Sequence, residues 1–200
     1  RSFIIYNRGK RSLPLDLTTP EARGILERLL PTTDVVLVNF RSDAITKLGL
    51  EYDTLAKLNP RLIYCDLTAF GRQGPDANRT GYDIVLQAVT GMMAAEGKLA
   101  DGVPQHIWST PLIDTTSGFC LAWCVCAALY ARERTGAGQK VEAALLGTAL
   151  GIQGSRLLWV EKVDAEPRKA FLEDLATLRA AGSTYPEVLA RYEDALPRLL

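Results

Sequence analysis

Two carboxylates, a basic loop and a polar segment behind an apolar run are the residues whose types and spacing could do chemistry. Asp114 stands between Pro111-Leu112-Ile113 and Thr115-Thr116-Ser117-Gly118, at the mouth of a helix. Aspartate is among the best N-cap residues, and a carboxylate kept ionised by backbone N–H groups is also a competent nucleophile. Cap and nucleophile are not exclusive, and both roles stay open. Asp83, after Gly81-Tyr82, is a second carboxylate at a helix start with the same two readings. An aspartic-protease site needs glycine where Thr116 stands, so that chemistry is excluded.

Asn7-Arg8-Gly9-Lys10-Arg11-Ser12 sets three cations in four positions around a glycine. Such a loop approaches a phosphate with backbone N–H groups and charge together, or it is a solvated turn before a strand. Asn39-Phe40-Arg41 follows an apolar run, and open α/β sheets bind ligands beyond the carboxyl ends of their strands. The plainer role is a strand-to-helix connection. His106 is a lone loop histidine. Cys120, Cys124 and Cys126 lie in one apolar stretch, which reads as core packing by free thiols in a reducing compartment. Zinc sites need paired Cys or His at ligand spacing, and the single histidine, His106, is nowhere near the cysteines in sequence, so no metal site is expected. Gly136-Ala137-Gly138 ends a helix and lacks a third glycine, so it is no dinucleotide fingerprint.

The elements that must position these residues alternate. Thr19 caps and Pro20 opens a helix carrying Ile25, Leu26, Leu29 and Leu30 at helical spacing. Asp34 to Val38 and Leu62 to Thr68 read as strands buried on both faces, with short helices over 41–48 and 52–58 between them. A helix over 82–96, a Gly- and Pro-rich loop to Pro111, a long helix over 114–134, a strand over 140–143 and a helix to about Glu161 follow. Past Pro167 two amphipathic helices, 171–180 and 185–200, are expected. The rhythm is that of a parallel α/β sheet.

With 200 residues, 48% of them hydrophobic, and a mean hydropathy of +0.03, the chain suits one domain, or two small ones, with a sizeable core. Lys+Arg and Asp+Glu both number 23, so the net charge of zero speaks against a nucleic-acid partner. The apolar run Ser117 to Tyr130 is short for a membrane span, and no signal segment is visible at the first residues. A soluble cytoplasmic protein is the expectation.

The order of several segments resembles one family. Asn7-Arg8-Gly9-Lys10-Arg11-Ser12-Leu13, with Leu15-Asp16-Leu17 and Thr19-Pro20-Glu21, is followed by Asn39-Phe40-Arg41, Leu48-Gly49-Leu50 and Asn59-Pro60-Arg61-Leu62-Ile63-Tyr64. Gly71-Arg72-Gln73-Gly74-Pro75, Gly81-Tyr82-Asp83 and Arg134-Thr135-Gly136 with Gly138-Gln139-Lys140-Val141 complete the set. This colinear series, over roughly residues 5–160, is similar to the class III (CaiB/BaiF-type) coenzyme A transferases, a family that includes formyl-CoA transferase, carnitine-CoA transferase and α-methylacyl-CoA racemases.

The resemblance implies a Rossmann-like parallel sheet flanked by helices, in a homodimer of interlocked rings. Residues 1–160 would form the CoA-binding domain, without its first strand–helix unit, and 161–200 a helical segment in place of most of a small domain. It implies an acyl-CoA and a small carboxylate as substrates, with no prosthetic group. Asp114 matches the nucleophilic aspartate; Tyr82 and Asp83 match an aromatic–acid pair beside the reaction centre. Lys10 and Arg11 fall in the basic loop. Leu15 and Thr18 match positions near the adenine and phosphates, Asn39, Phe40 and Arg41 the segment along the pantetheine arm, and Lys47 and Leu48 the nucleotide end. Racemases carry histidine where Tyr82 stands, and a phenol, with an ordinary pKa of about 10, is a poor base for an α-proton. That departure favours a transferase. A racemase, or a non-catalytic CoA-binding or dimerisation fragment, are the alternatives.

Overall fold

Two short apolar runs and a third, more polar segment meet in a parallel sheet, as the alternation of elements requires. The computed structural model describes residues 2–107, 109–154, 158 and 160–191. Strand β1 (Val35–Val38) pairs with β2 (Ile63–Thr68), and β2 with β5 (Gln139–Ala144), in the order β1-β2-β5. Val35 lies opposite Ile63 and Val38 opposite Asp66; on the other side Ile63 faces Gln139 and Thr68 faces Ala144. A separate antiparallel ribbon, β3 (Leu99–Ala100) with β4 (Val103–Pro104), forms in the expected Gly- and Pro-rich loop.

Helices cover both faces. On one, α2 (Pro20–Leu29), α3 (Ser42–Leu48) and α4 (Tyr52–Leu58) pack Leu26, Ile45, Leu48 and Leu55 against Val38, Leu62 and Tyr64. Thr19 caps α2 through Ala22 N–H, with Pro20 at its start, as the sequence predicts. On the other face α7 (Leu112–Thr135) sets Leu121, Val125 and Ala128 on Ile63, Cys65 and Val141. A third cluster joins α5 (Asp83–Val89), α6 (Met92–Ala95), the start of α7 and α8 (Leu145–Gln153) around Leu86, Ile113 and Ala149.

Several expectations change. Strand β1 is not buried on both faces: Leu37 is 58% exposed, because β1 is an edge of the described sheet and the α7 side covers Val35 only. The helix expected over 82–96 divides into α5 and α6 at Gly91, whose φ of 74° stops the first. No strand follows the basic loop among the described residues; α1 (Ser2–Asn7) precedes it and 10–16 run irregularly. Helix α8 ends at Gln153, short of Glu161. Helix α9 (Glu161–Ala180) starts ten residues before the expected Phe171 and carries Pro167 inside it, while α10 (Tyr185–Arg191) is described only that far.

Helix α7 is apolar nearly all round, but the sheet takes one stripe: Ile113, Ser117, Leu121, Ala128 and Arg132 are buried. That rotation leaves Phe119, Trp123 and Tyr130 exposed. It also overturns the core-packing reading for two cysteines, since Cys120 and Cys126 are exposed, Cys124 is half-buried and only Cys65 lies in the core. Burial pushes the Cys65 thiol up to about 11, with Cys124 adding to it. By length and composition α7 is long and apolar enough to cross a membrane, which the shorter run Ser117 to Tyr130 did not suggest. Here it is a layer of the α/β unit, tied at its end by Arg132, which donates to Asp34 at 2.9 Å and to the Arg61 carbonyl at 3.2 Å.

The entry into β5 depends on Gly138. A Cβ there would stand 2.2 Å from the Leu62 carbonyl oxygen and 2.4 Å from the Arg61 carbonyl carbon. Both obstacles are backbone, so β5 would have to leave β2. Gly138→Ala is expected to cost about 3 kcal/mol, read as a fall in the urea unfolding midpoint; an unchanged midpoint would contradict this packing.

Candidate active site

The carboxyl ends of the three strands open onto one cleft of about 780 Å³. Asn39, Phe40 and Arg41 reach it from beyond β1, Leu67, Thr68 and Ala69 from the end of β2, and Leu145 from just after β5. Tyr82, at the entrance of α5, and Asp114, in the first turn of α7, complete the wall. Residues far apart in sequence thus converge where an open α/β sheet binds ligands.

The segment 39–41 is held by a side chain from the next loop. Arg72 donates from Nη2 to the Phe40 carbonyl at 2.9 Å and from Nη1 to Ser42 Oγ at 2.8 Å. Its Nε and Nη2 also grip Asp66 at 2.8 and 2.7 Å. The Asp66 side chain is only 3% exposed, and Lys140 stands 3.8 Å from it on β5. A bidentate, nearly buried pair therefore fixes the end of β2 to the loop after β1.

Asp114 is not the cap of its helix. Position 111 is the N-cap and makes no side-chain hydrogen bond, which puts Asp114 at the third helical position. The free N–H groups of Ile113 and Asp114 donate instead to Asp83 Oδ2, at 2.7 and 3.0 Å. Asp83 thus caps α7 from another element, and the two readings shared by both acids separate. Asp114 keeps its carboxyl for the cleft; Asp83 stands behind it and is not among the cleft-lining residues. Partial burial, then the neighbouring Asp83 charge, push the Asp114 carboxyl above the ordinary aspartate range. A more basic carboxylate is a better nucleophile once ionised.

The sign of this shift gives a stability prediction. The folded state holds the Asp114 proton to higher pH than the unfolded chain does. Its contribution is favourable below the ordinary aspartate pKa and is lost as pH rises through the folded-state value. Asp114→Asn should therefore match the parent in acid and be the more stable protein at neutral pH. Urea midpoints at the two conditions check this, and equal midpoints at neutral pH would refute it.

The expected nucleotide end lies elsewhere. Thr18 and Lys47 line a smaller cleft of about 270 Å³ with Leu17, Thr19, Pro20 and Arg23. The Thr18 hydroxyl is committed to Asp16 Oδ1 at 2.6 Å, and this bond with the Thr18 N–H lowers the Asp16 carboxyl. Lys10 and Arg11 are exposed and Leu15 half-buried, and these three line neither cleft. Leu48 packs against the α2–α4 core instead of facing a ligand. His106 lines neither cleft, and no cluster able to hold a metal occurs among the described residues.

The match to CoA-transferase family III covers residues 1–180. The chain belongs to this family. The family III match continues into α9, beyond the residues near 160 where the motif resemblance ends. A succinate–glutarate CoA-transferase of Agrobacterium fabrum is 43% identical over 140 residues, 70% of this chain and 34% of that one. An acetyl-CoA:oxalate CoA-transferase of Acetobacter aceti is 39% identical over 158 residues, 78% of this chain and 40% of the other. The crystal structure of Rv3272 from Mycobacterium tuberculosis superposes with a TM-score of 0.69 at 44% identity, covering 75% of this chain and 41% of that chain. A CaiB/BaiF family protein from Brucella suis gives 0.67 at 38%, covering 74% and 39%. The chain spans 34% to 40% of the length of the two enzymes named first.

Around this cleft, sequence reasoning missed the Asp66–Arg72 pair and Gln87. A charged residue inside the apolar run Leu62 to Leu67 was the signal for the first. Gln87, fully buried on α5, carried no comparable local signal.

Proposed function

We propose that the chain carries the reaction centre of an acyl-CoA:carboxylate CoA-transferase, with Asp114 as nucleophile. The observation that carries this reading is the opening of Asp114 and the Asn39-Phe40-Arg41 segment onto one cleft. An Asp114 oxygen attacks the thioester carbonyl, the C–S bond breaks, and CoA leaves as thiolate from a mixed anhydride. The thiolate then attacks the Asp114 carbonyl carbon, expelling the donor's carboxylate and leaving an aspartyl-CoA thioester. An incoming carboxylate attacks that thioester, breaking its C–S bond and forming a second mixed anhydride. The released thiolate attacks the acceptor's acyl carbon, and the anhydride C–O bond breaks to give the new acyl-CoA and restore Asp114. No proton needs to leave a carbon atom, so Tyr82 serves as wall and not as base.

Hydroxylamine tests the reading directly. Incubation with acyl-CoAs and hydroxylamine should leave a hydroxamate on the peptide containing Asp114. An unmodified peptide under conditions where CoA binds would overturn it, and α-proton exchange without CoA transfer would establish the racemase instead. The expected interlocked homodimer would cover the exposed apolar surface of α7, Phe119, Trp123 and Tyr130. Sedimentation should then show a dimer; a monomer alone would remove this element of the proposal.

A further inference from the structure

Behind Asp114 lies a buried amide that the proposed reaction does not use. Gln87 is 0% exposed, and both ends of its carboxamide are engaged. Its Oε1 accepts from the Ile107 N–H at 2.7 Å, while Nε2 donates to the Ile107 carbonyl at 3.2 Å. The same Nε2 donates to Asp83 Oδ1, a short contact one helical turn back along α5. Asp83 Oδ2 in turn accepts the Ile113 and Asp114 N–H groups. Each carboxylate oxygen of Asp83 therefore has its own donor side: Gln87 on one, the start of α7 on the other.

A carboxylate rotates about its Cβ–Cγ bond unless both oxygens are held. Burying an amide is costly unless its hydrogen bonds are made, and here the backbone of residue 107 and Asp83 satisfy it. We propose that Gln87 is a positioning residue for Asp114. Anchored on the Ile107 backbone, it fixes the rotation of Asp83, which holds the first turn of α7 and so sets where the Asp114 carboxylate stands in the cleft. Its meaning for catalysis rests on Asp114 being the nucleophile; the geometric coupling does not.

The coupling predicts a direction. Without the Gln87 donor Asp83 turns from the helix start, its charge moves away, and the Ile113 and Asp114 N–H groups become available to Asp114. Both changes favour the ionised form of Asp114. The other charged or titratable groups lining the cleft are Arg41, Asp43, Arg72, Arg79 and Tyr82. Arg41 pairs with Asp43, Arg72 with Asp66 and Arg79 with Asp76, so the substitution leaves these pairs in place.

The experiment is a carboxyl NMR titration of the chain labelled with ¹³C-aspartate, Asp114 being assigned by its loss in Asp114→Asn. Gln87→Met, close in volume and without the amide, should move the Asp114 midpoint down and leave Asp43 and Asp76 unmoved. The rate of hydroxylamine trapping should fall about 10²-fold, as for a displaced reacting group, with CoA affinity unchanged. In Gln87→Glu the introduced carboxyl donates to Asp83 only while protonated, so trapping should become bell-shaped in pH; this variant also serves if the first does not fold. A folded Gln87→Met with the parent's midpoint overturns the proposal, even if trapping falls. A parent that is never trapped, with the midpoint still moving, overturns the transferase reading and upholds the positioning role.

Discussion

Asp114→Asn should abolish acyl transfer, lowering turnover by at least ~10³-fold, or about 4 kcal/mol of transition-state stabilisation. A neutral amide is no nucleophile and forms no anhydride, so covalent catalysis is removed at its first step. Binding of CoA should survive, because Arg72 holds the 39–41 segment through the Phe40 carbonyl and Ser42 Oγ, without Asp114. Asp114→Glu keeps the charge but moves it one methylene along the cleft, and a displacement of about 1 Å is worth roughly 10²-fold in rate. Steady-state kinetics beside a CoA-binding isotherm separate these effects. Substantial transfer by a purified Asp114→Asn protein would sink the assignment of the nucleophile.

The second large effect is expected at Arg72, outside the reaction itself. Arg72→Met leaves the Asp66 carboxylate, 3% exposed, without its bidentate partner, and breaking such a pair typically costs 3–5 kcal/mol. Lys140, 3.8 Å from Asp66, offsets part of this, so about 3 kcal/mol is expected. The Phe40 carbonyl and Ser42 hydroxyl lose their donors in the same variant, so CoA affinity should fall as well. Adding Asp66→Leu removes the stranded charge and should restore most of the stability, but not the affinity. Urea unfolding of the two single variants and the double variant yields a coupling of about 2 kcal/mol. Additive effects would mean that the pair does not act as a unit.

Much of the framework was legible in the chain because its causes are local. Thr19 and Pro20 start a helix through their own geometry, and Ile63 to Thr68 form a strand because a short apolar run can be buried on two faces. The placing of Asn39-Phe40-Arg41 beyond β1 followed from the sheet rhythm and holds in the cleft. The ordered motifs pointed to the same family that the match over residues 1–180 establishes.

Other features depend on partners that no local pattern names. Asp114 and Asp83 both read as helix-start carboxylates; the choice between them was made when α5 packed on α7 and brought Asp83 to the N–H groups of residues about thirty positions away. The cysteines shared an apolar helix, but the stripe facing the sheet set its rotation and turned Cys120 and Cys126 outward. Arg72 stands in the Gly71–Pro75 motif with no partner named by its neighbours in sequence, and β2 supplies one by placing Asp66 beside it. Sequence by itself determined the α/β rhythm and the order of the three sheet strands along the chain, since propensity, capping and periodicity act between chain neighbours, and its ordered motifs pointed to the family. Only tertiary structure decided which carboxylate caps and which faces the cleft, because a hydrogen bond goes to whichever donor packing brings within about 3 Å.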